Sequence, residues 1–127
     1  MDVYKTHGAF SWSELMTSDP AAAAEFYGKL FGWKVQTMDM GQGPYHIVKV
    51  GDTGVGGIMK LPADAASMPP MWGCYVTVDN VEKTLTDCAA LGGKTLVPPM
   101  DVPGVGRMAV IQDPQGAMLS VMAYAMG

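Results

Sequence analysis

Residues 12–19 read WSELMTSD and residues 72–79 read WGCYVTVD. Each stretch opens on a tryptophan and closes on an aspartate seven residues later, and the two stand sixty residues apart. In the same register Thr17 answers Thr77, Gly32 answers Gly92 and Lys34 answers Lys94, with no gap between them. Self-similarity at a fixed spacing marks one structural unit used twice. Such a unit must bury a face against its twin, and the cleft between copies is the natural place for a ligand.

Working outward from the first stretch, residues 8–16 have strand character and stop at Thr17-Ser18-Asp19-Pro20, where Asp19 is placed to cap a helix that starts at Pro20. That helix carries Ala22, Ala23, Phe26, Tyr27 and Leu30 on one stripe and ends at Gly32. Strands are expected at 33–39, 45–50 and 55–60, separated by turns at 41–44 and 51–54. A connector rich in proline and alanine covers 61–71. The order then repeats: a strand at 72–78, a helix opened by a capping box of Asp79 and Glu82, and a buried stripe of Val81, Leu85 and Cys88 ending at Gly92-Gly93. Strands follow at 94–97, 107–112 and 117–123, with a proline and glycine loop at 98–106 and a turn at Asp113-Pro114-Gln115-Gly116. The expectation is a single α+β domain over 1–127, with βαβββ modules at 8–60 and 72–123.

Composition bounds the function. The chain has 127 residues, 49% of them apolar, enough for a core of its own. Eight basic residues stand against twelve acidic ones, and they are scattered from Lys5 to Arg107, which disfavours nucleic acid and anionic membrane surfaces as partners. No stretch approaches the ~20 apolar residues of a membrane span, and the N-terminus lacks the apolar run of a signal peptide. A cytoplasmic protein with two reduced, buried thiols at Cys74 and Cys88 is expected. There is no phosphate loop, nucleophile elbow, paired CxxC or dinucleotide fingerprint.

Three stretches carry a family resemblance: Ser11-Trp12-Ser13-Glu14-Leu15-Met16-Thr17-Ser18-Asp19-Pro20; Phe26-Tyr27 followed by Leu30-Phe31-Gly32-Trp33; and Asp113-Pro114-Gln115-Gly116. In this order and spacing the chain resembles the vicinal oxygen chelate superfamily of glyoxalases, bleomycin-resistance proteins and extradiol dioxygenases. The resemblance implies two modules forming a half-open eight-stranded barrel or cup with the helices outside, and a metal and substrate inside it. It also implies a homodimer, with the connector 61–71 near the interface.

The positions that hold metal in metal-dependent members of that superfamily fall here on Trp12, Ile58, Trp72 and Ser120. Indole and alkyl groups do not coordinate a divalent cation, and a lone serine hydroxyl is a poor ligand. No cofactor is therefore expected. The alternative is a divalent metal at a non-standard site, built from His7, Glu14 and His46.

Strand alternation, taken with Trp12 pointing inward, turns Glu14, Met16, Trp72, Cys74, Val76, Met118, Ser120 and Met122 inward as well. Two readings stand. These side chains line an apolar pocket with one carboxylate, or they fill the barrel as core. Glu14 is the candidate general base, since a carboxylate beside indole in a half-dry cup is poised for proton transfer, and its competing role is a solvated or lysine-paired group. Arg107 can clamp an anionic substrate group or form a surface ion pair. Cys74 has no neighbouring activator in sequence and reads as inert.

Three functions follow: a metal-free binder of a small, mostly apolar molecule held between Trp12 and Trp72; a lyase or isomerase of the glyoxalase kind using Glu14 or a displaced metal; and an interaction domain with a filled barrel.

Overall fold

A computed structural model describes residues 1–39, 44–61, 69–102 and 104–125. Along them run β1 (Phe10–Thr17), α1 (Pro20–Phe31), β2 (Lys34–Asp39), β3 (Pro44–Val50), β4 (Thr53–Lys60), β5 (Met71–Thr77), α2 (Val81–Ala90), β6 (Lys94–Val102), β7 (Gly106–Gln112) and β8 (Met118–Tyr124). Strand, helix and three strands occur twice, as the repeat predicts. The turn at 41–44 apart from Pro44, the connector at 62–68 and Pro103 lie outside the described residues. The chain divides into two compact units, Trp12–Gly73 and Met1–Ser11 with Cys74–Gly127.

In the first unit the strand order is β2-β3-β4-β1, with β1 and β4 parallel and the other pairs antiparallel. Asp19 starts α1 by accepting a hydrogen bond from the Ala22 amide at 3.1 Å, Pro20 occupies the first turn, and Gly32 ends the helix in the left-handed region at φ 76°. Leu15, Val48 and Ile58 form the buried core, packed against Ala23, Ala24 and Tyr27 of α1 and against Trp33. The buried stripe is therefore not the expected one, because Phe26 and Leu30 face solvent. Apolar residues surround most of α1, so periodicity alone leaves its inner face open, and contact with Leu15 and Ile58 decides it.

Alternation along the strands then sorts the sheet into two faces. Leu15, Val48 and Ile58 look toward α1. Trp12, Glu14, Met16, Tyr45, Ile47, Gly57 and Met59 look the other way, in keeping with the pairings Glu14↔Gly57 and Ile47↔Gly57.

In the second unit the order is β5-β8-β7-β6, with β5 and β8 parallel. Val78, Val81, Ala109 and Val121 form its core, with Leu85, Ile111 and Ala123 packed on them. The cap of α2 is Asn80, whose side chain accepts from the Lys83 amide at 2.9 Å, and not Asp79. With caps at Asp19 and Asn80, the two copies are offset by one residue more than the tryptophans imply. The strand β6 continues through Pro98 and Pro99, where a loop was expected. It is the terminal strand of this unit's sheet, and its pairing with β7 shifts register between Val97 and Met100, the setting in which a strand tolerates proline.

The residues before β1 are tied down within the second unit. The Gly8 amide donates to the Thr77 carbonyl at 2.8 Å, the Thr77 amide donates to Ala9 at 2.8 Å, and the Thr77 hydroxyl donates to the Val3 carbonyl at 2.6 Å. Tyr4 meets Tyr124 edge-on, with ring centroids 5.1 Å apart. Among the described residues no helix is long and apolar enough to cross a membrane.

Candidate functional site

The face of the first unit away from α1 carries a polar relay among apolar neighbours. Tyr45 reaches over from β3 and donates its phenolic hydrogen to Glu14 Oε2 at 2.7 Å. The same phenol oxygen accepts from the Trp12 indole N–H at 3.0 Å. All three side chains are half-buried. Gly57, opposite Glu14, makes room for this arrangement: a Cβ there would stand 1.8 Å from the Tyr45 hydroxyl oxygen. Met16, Ile47 and Met59 share the face.

Glu14 is therefore held by a tyrosine that the sequence did not single out. A signal for it exists. Gly56-Gly57 in mid-strand marks a close approach by something bulky, and Tyr45 is the large residue of the correct parity on the adjoining strand.

The position expected at Ile58 is corrected. Ile58 is fully buried under α1, and the residue that faces the relay at that level is Gly57. Trp72 is likewise not turned toward Trp12. Its indole N–H donates to the Tyr27 hydroxyl of α1 at 3.2 Å, and its ring lies edge-on to Tyr27 and Trp33, with centroids 5.5 and 6.1 Å away.

In the second unit Val76 pairs with Val121, which packs under α2, so Val76 and Cys74 lie on the α2 side and not on the face of Ser120. Cys74 is also exposed, against the expectation of burial, while Cys88 is half-buried; both are free thiols. A one-residue offset explains these reversals, since it flips every side chain of a strand to the other face. Met118, Ser120 and Met122 do share the face away from α2, where Ser120 pairs with Tyr75 and Val110 and Met122 is buried.

Arg107 lies on the α2 side and forms ion pairs with Glu82 of α2 and, at 2.9 Å, with Asp101. Hydrogen bonds to Glu82 and then to Asp101 push its pKa further up. The guanidinium is engaged as a surface ion pair. His46 hydrogen-bonds Thr37 at 2.9 Å on the α1 side, opposite Glu14, and His7 accepts from the Asp79 amide at 3.1 Å. A metal centre joining Glu14 to His46 does not fit this placement. Among the described residues no three His, Cys, Asp or Glu side chains group as metal ligands. On the first unit's face the metal that the superfamily resemblance implies finds an indole at Trp12, no side chain at Gly57 and a Glu14 carboxylate bonded to Tyr45, which does not fit a divalent cation; in the second unit the corresponding position, Ser120, offers a single hydroxyl.

A groove of about 530 Å³ runs along α2, lined by His7, Asp79, Lys83, Cys88 and Pro114 among others. Lys83 pairs locally with Asp87 at 2.8 Å.

Residues 9–121 match the family described as the Glyoxalase/Bleomycin resistance protein/Dioxygenase superfamily, and the chain belongs to it. The CFP32 protein of Mycobacterium tuberculosis, which carries a provisional glyoxylase name, is 40% identical over 119 residues, covering 93% of this chain and 45% of that protein. The anthracycline biosynthesis protein DnrV of Streptomyces peucetius is 33% identical over 127 residues, covering 90% of this chain and 46% of its own length. The chain thus spans about half the length of the curated relatives it matches. A Streptomyces coelicolor methylmalonyl-CoA epimerase variant, solved with 2-nitronate-propionyl-CoA, superposes with a TM-score of 0.69 at 18% identity, covering 95% of this chain and 97% of that one. That likeness shows the fold, the glyoxalase-like arrangement of paired βαβββ modules.

Proposed function

We propose that this chain is a metal-free, small-molecule-binding member of the glyoxalase and bleomycin-resistance family, taking a small, mostly apolar molecule on the first unit's face away from α1. The Trp12–Tyr45–Glu14 relay carries this reading. Trp12, Met16, Ile47 and Met59 offer adaptable apolar surface, and the phenol and carboxylate set among them are placed to orient one polar group of a ligand. A cytoplasmic setting accords with the free thiols of Cys74 and Cys88.

A second reading is favoured by the position of Glu14: an isomerase or lyase step of the glyoxalase kind in which this carboxylate takes the proton. The solved structure of a methylmalonyl-CoA epimerase with an acyl-CoA analogue makes acyl-CoA compounds part of the test panel.

The experiment is a titration of aromatic, dicarbonyl and acyl-CoA compounds, followed through the Trp12 indole N–H resonance. A dissociation constant of about micromolar, near 8 kcal/mol, is expected. Tyr45→Phe should weaken binding at least about tenfold, the loss of roughly one oriented hydrogen bond. Turnover separates the two readings: an enzyme converts the bound compound and loses that conversion in Glu14→Gln, whereas a binder converts nothing in either form. A panel in which nothing moves the Trp12 resonance would sink both.

A further inference from the structure

The hydrogen bonds of the relay all run one way. The Trp12 indole has only a hydrogen to give and gives it to the Tyr45 oxygen at 3.0 Å, and the Tyr45 hydroxyl passes its own hydrogen to Glu14 at 2.7 Å, so the chain of donors ends on a carboxylate. Both side-chain donors of the relay are spent within it. What it offers a ligand is an acceptor: an ionised carboxylate has about four lone-pair sites and accepts from more than one partner at once. Its charge makes such a bond stronger than one between neutral groups. Gln36 is a polar side chain on the same face, yet the row Gln36–Ile47–Gly57–Glu14 puts it three strands away, roughly 14 Å along the sheet at about 4.8 Å per strand. A polar group bound at Glu14 is out of its reach. The apolar surface beside the relay is just as defined. The Trp12 ring has its N–H on Tyr45 and its Cη2 edge over Gly54, where an added Cβ would stand 3.8 Å from it. An indole placed at both ends is a stacking surface for a flat ring, and the paired Met16 and Met59 add polarisable contacts.

We propose that the ligand of this face is a hydroxyl-bearing aromatic compound, whose O–H donates to Glu14 while its ring lies against Trp12. This rests on the ligand-binding reading above and narrows it to one class. A compound that brings only acceptors, such as a ketone, a dicarbonyl or a methyl ether, sets its lone pairs against those of the carboxylate and finds both relay donors engaged. It gains a hydrogen bond there only by breaking one of theirs, and a site built to accept a hydroxyl hydrogen discriminates against the analogue that lacks it. An ammonium group also donates, but it gives up more hydration on entering a half-dry face than a neutral hydroxyl does.

The test is a matched set on one ring system: 2-naphthol, its methyl ether, the 2-acetyl ketone and the 2-aminomethyl compound, each titrated into the 127-residue chain and followed through the Trp12 indole resonance. The naphthol should bind at least about tenfold tighter than the ether and the ketone, the worth of one hydrogen bond to a charged acceptor, and tighter than the amine. Glu14→Gln keeps an acceptor for Tyr45 and gains N–H donors, so in this variant, with its fold verified by circular dichroism, the preference for naphthol over ether and ketone should shrink to about threefold or less. If that variant fails to fold, the wild-type ratios decide. Naphthol, ether and ketone that bind equally well overturn the proposal and leave the ligand reading standing, as does a preference for the amine. A naphthol preference that persists undiminished in Glu14→Gln also overturns it, because the hydroxyl is then recognised elsewhere. A set in which no compound moves the Trp12 resonance removes both the proposal and the reading it rests on.

Discussion

One phenol oxygen serves two side chains on the first unit's free face. Tyr45 gives its hydrogen to Glu14 and accepts the Trp12 N–H, and it can lie there because residue 57 has no side chain. Removing the hydroxyl in Tyr45→Phe takes a donor from the carboxylate and an acceptor from the indole. Both are half-buried and regain water in part, so a loss of about 1–2 kcal/mol is expected in urea unfolding. Gly57→Ala reaches the same end by displacement, since its new methyl overlaps the far end of the Tyr45 ring, which must swing aside. Both variants should shift the Trp12 indole resonance and leave that of Trp72, anchored on Tyr27, in place. An unmoved Trp12 resonance in Gly57→Ala would mean the relay survives and Gly57 does not position it. Ile58→Ala should behave differently again, costing about 2–5 kcal/mol as a buried truncation with no effect on the relay.

At the scale of elements, the ends of the helices and the turns are where small side chains set the register. Asp19→Ala and Asn80→Ala should each cost about 0.5–2 kcal/mol through loss of a cap, whereas Asp79→Ala should cost much less, and thermal melts of the three rank them. The tight turn before β8 gives a pH signature. Asp113 accepts from the Ala117 and Gln115 amides at 3.0 and 2.9 Å, and these bonds, Ala117 first, hold its carboxyl below the usual range. Because its folded pKa is the lower one, its contribution is fully present above the unfolded value of about 4 and fades as pH falls through the folded one. Asp113→Asn removes that titration, so its melting temperature should fall less steeply than the wild type's below about pH 4.

These same elements show what could be read in advance. The element order, the Asp19 cap and the Gly32 stop were legible because cap, proline and left-handed glycine each act locally. The second copy's facing was not. Asp79 and Asn80 are neighbours and both of capping type, so composition does not choose between them, and a choice wrong by one residue reverses Trp72, Cys74 and Val76 together. The relay escaped notice because it joins β1 to β3 through Tyr45, a non-local contact that no spacing within either strand announces.

For the molecule as a whole, membership of the superfamily and the residues this chain carries pull in opposite directions on metal. The resemblance implies metal ligands on strand faces, and here the described residues of the first unit's face supply Trp12 and Gly57 with one carboxylate, Glu14, already bonded to Tyr45. A cation bound there would displace the Tyr45 hydrogen bond, and His46 lies on the opposite face of the sheet, bonded to Thr37. Mass action makes the consequence measurable. A site filled at a hundredfold excess over its dissociation constant stabilises the folded chain by about 2.7 kcal/mol, which for a domain of this size moves the melting temperature by several degrees. We therefore expect zinc, nickel, iron(II) and manganese at about 100 micromolar to leave the melt within a degree of the metal-free value, and elemental analysis of the untagged chain to find far less than one metal per chain. A stoichiometric metal that is lost in Glu14→Ala would refute the metal-free reading and transfer the role of Glu14 from orienting a ligand to holding an ion.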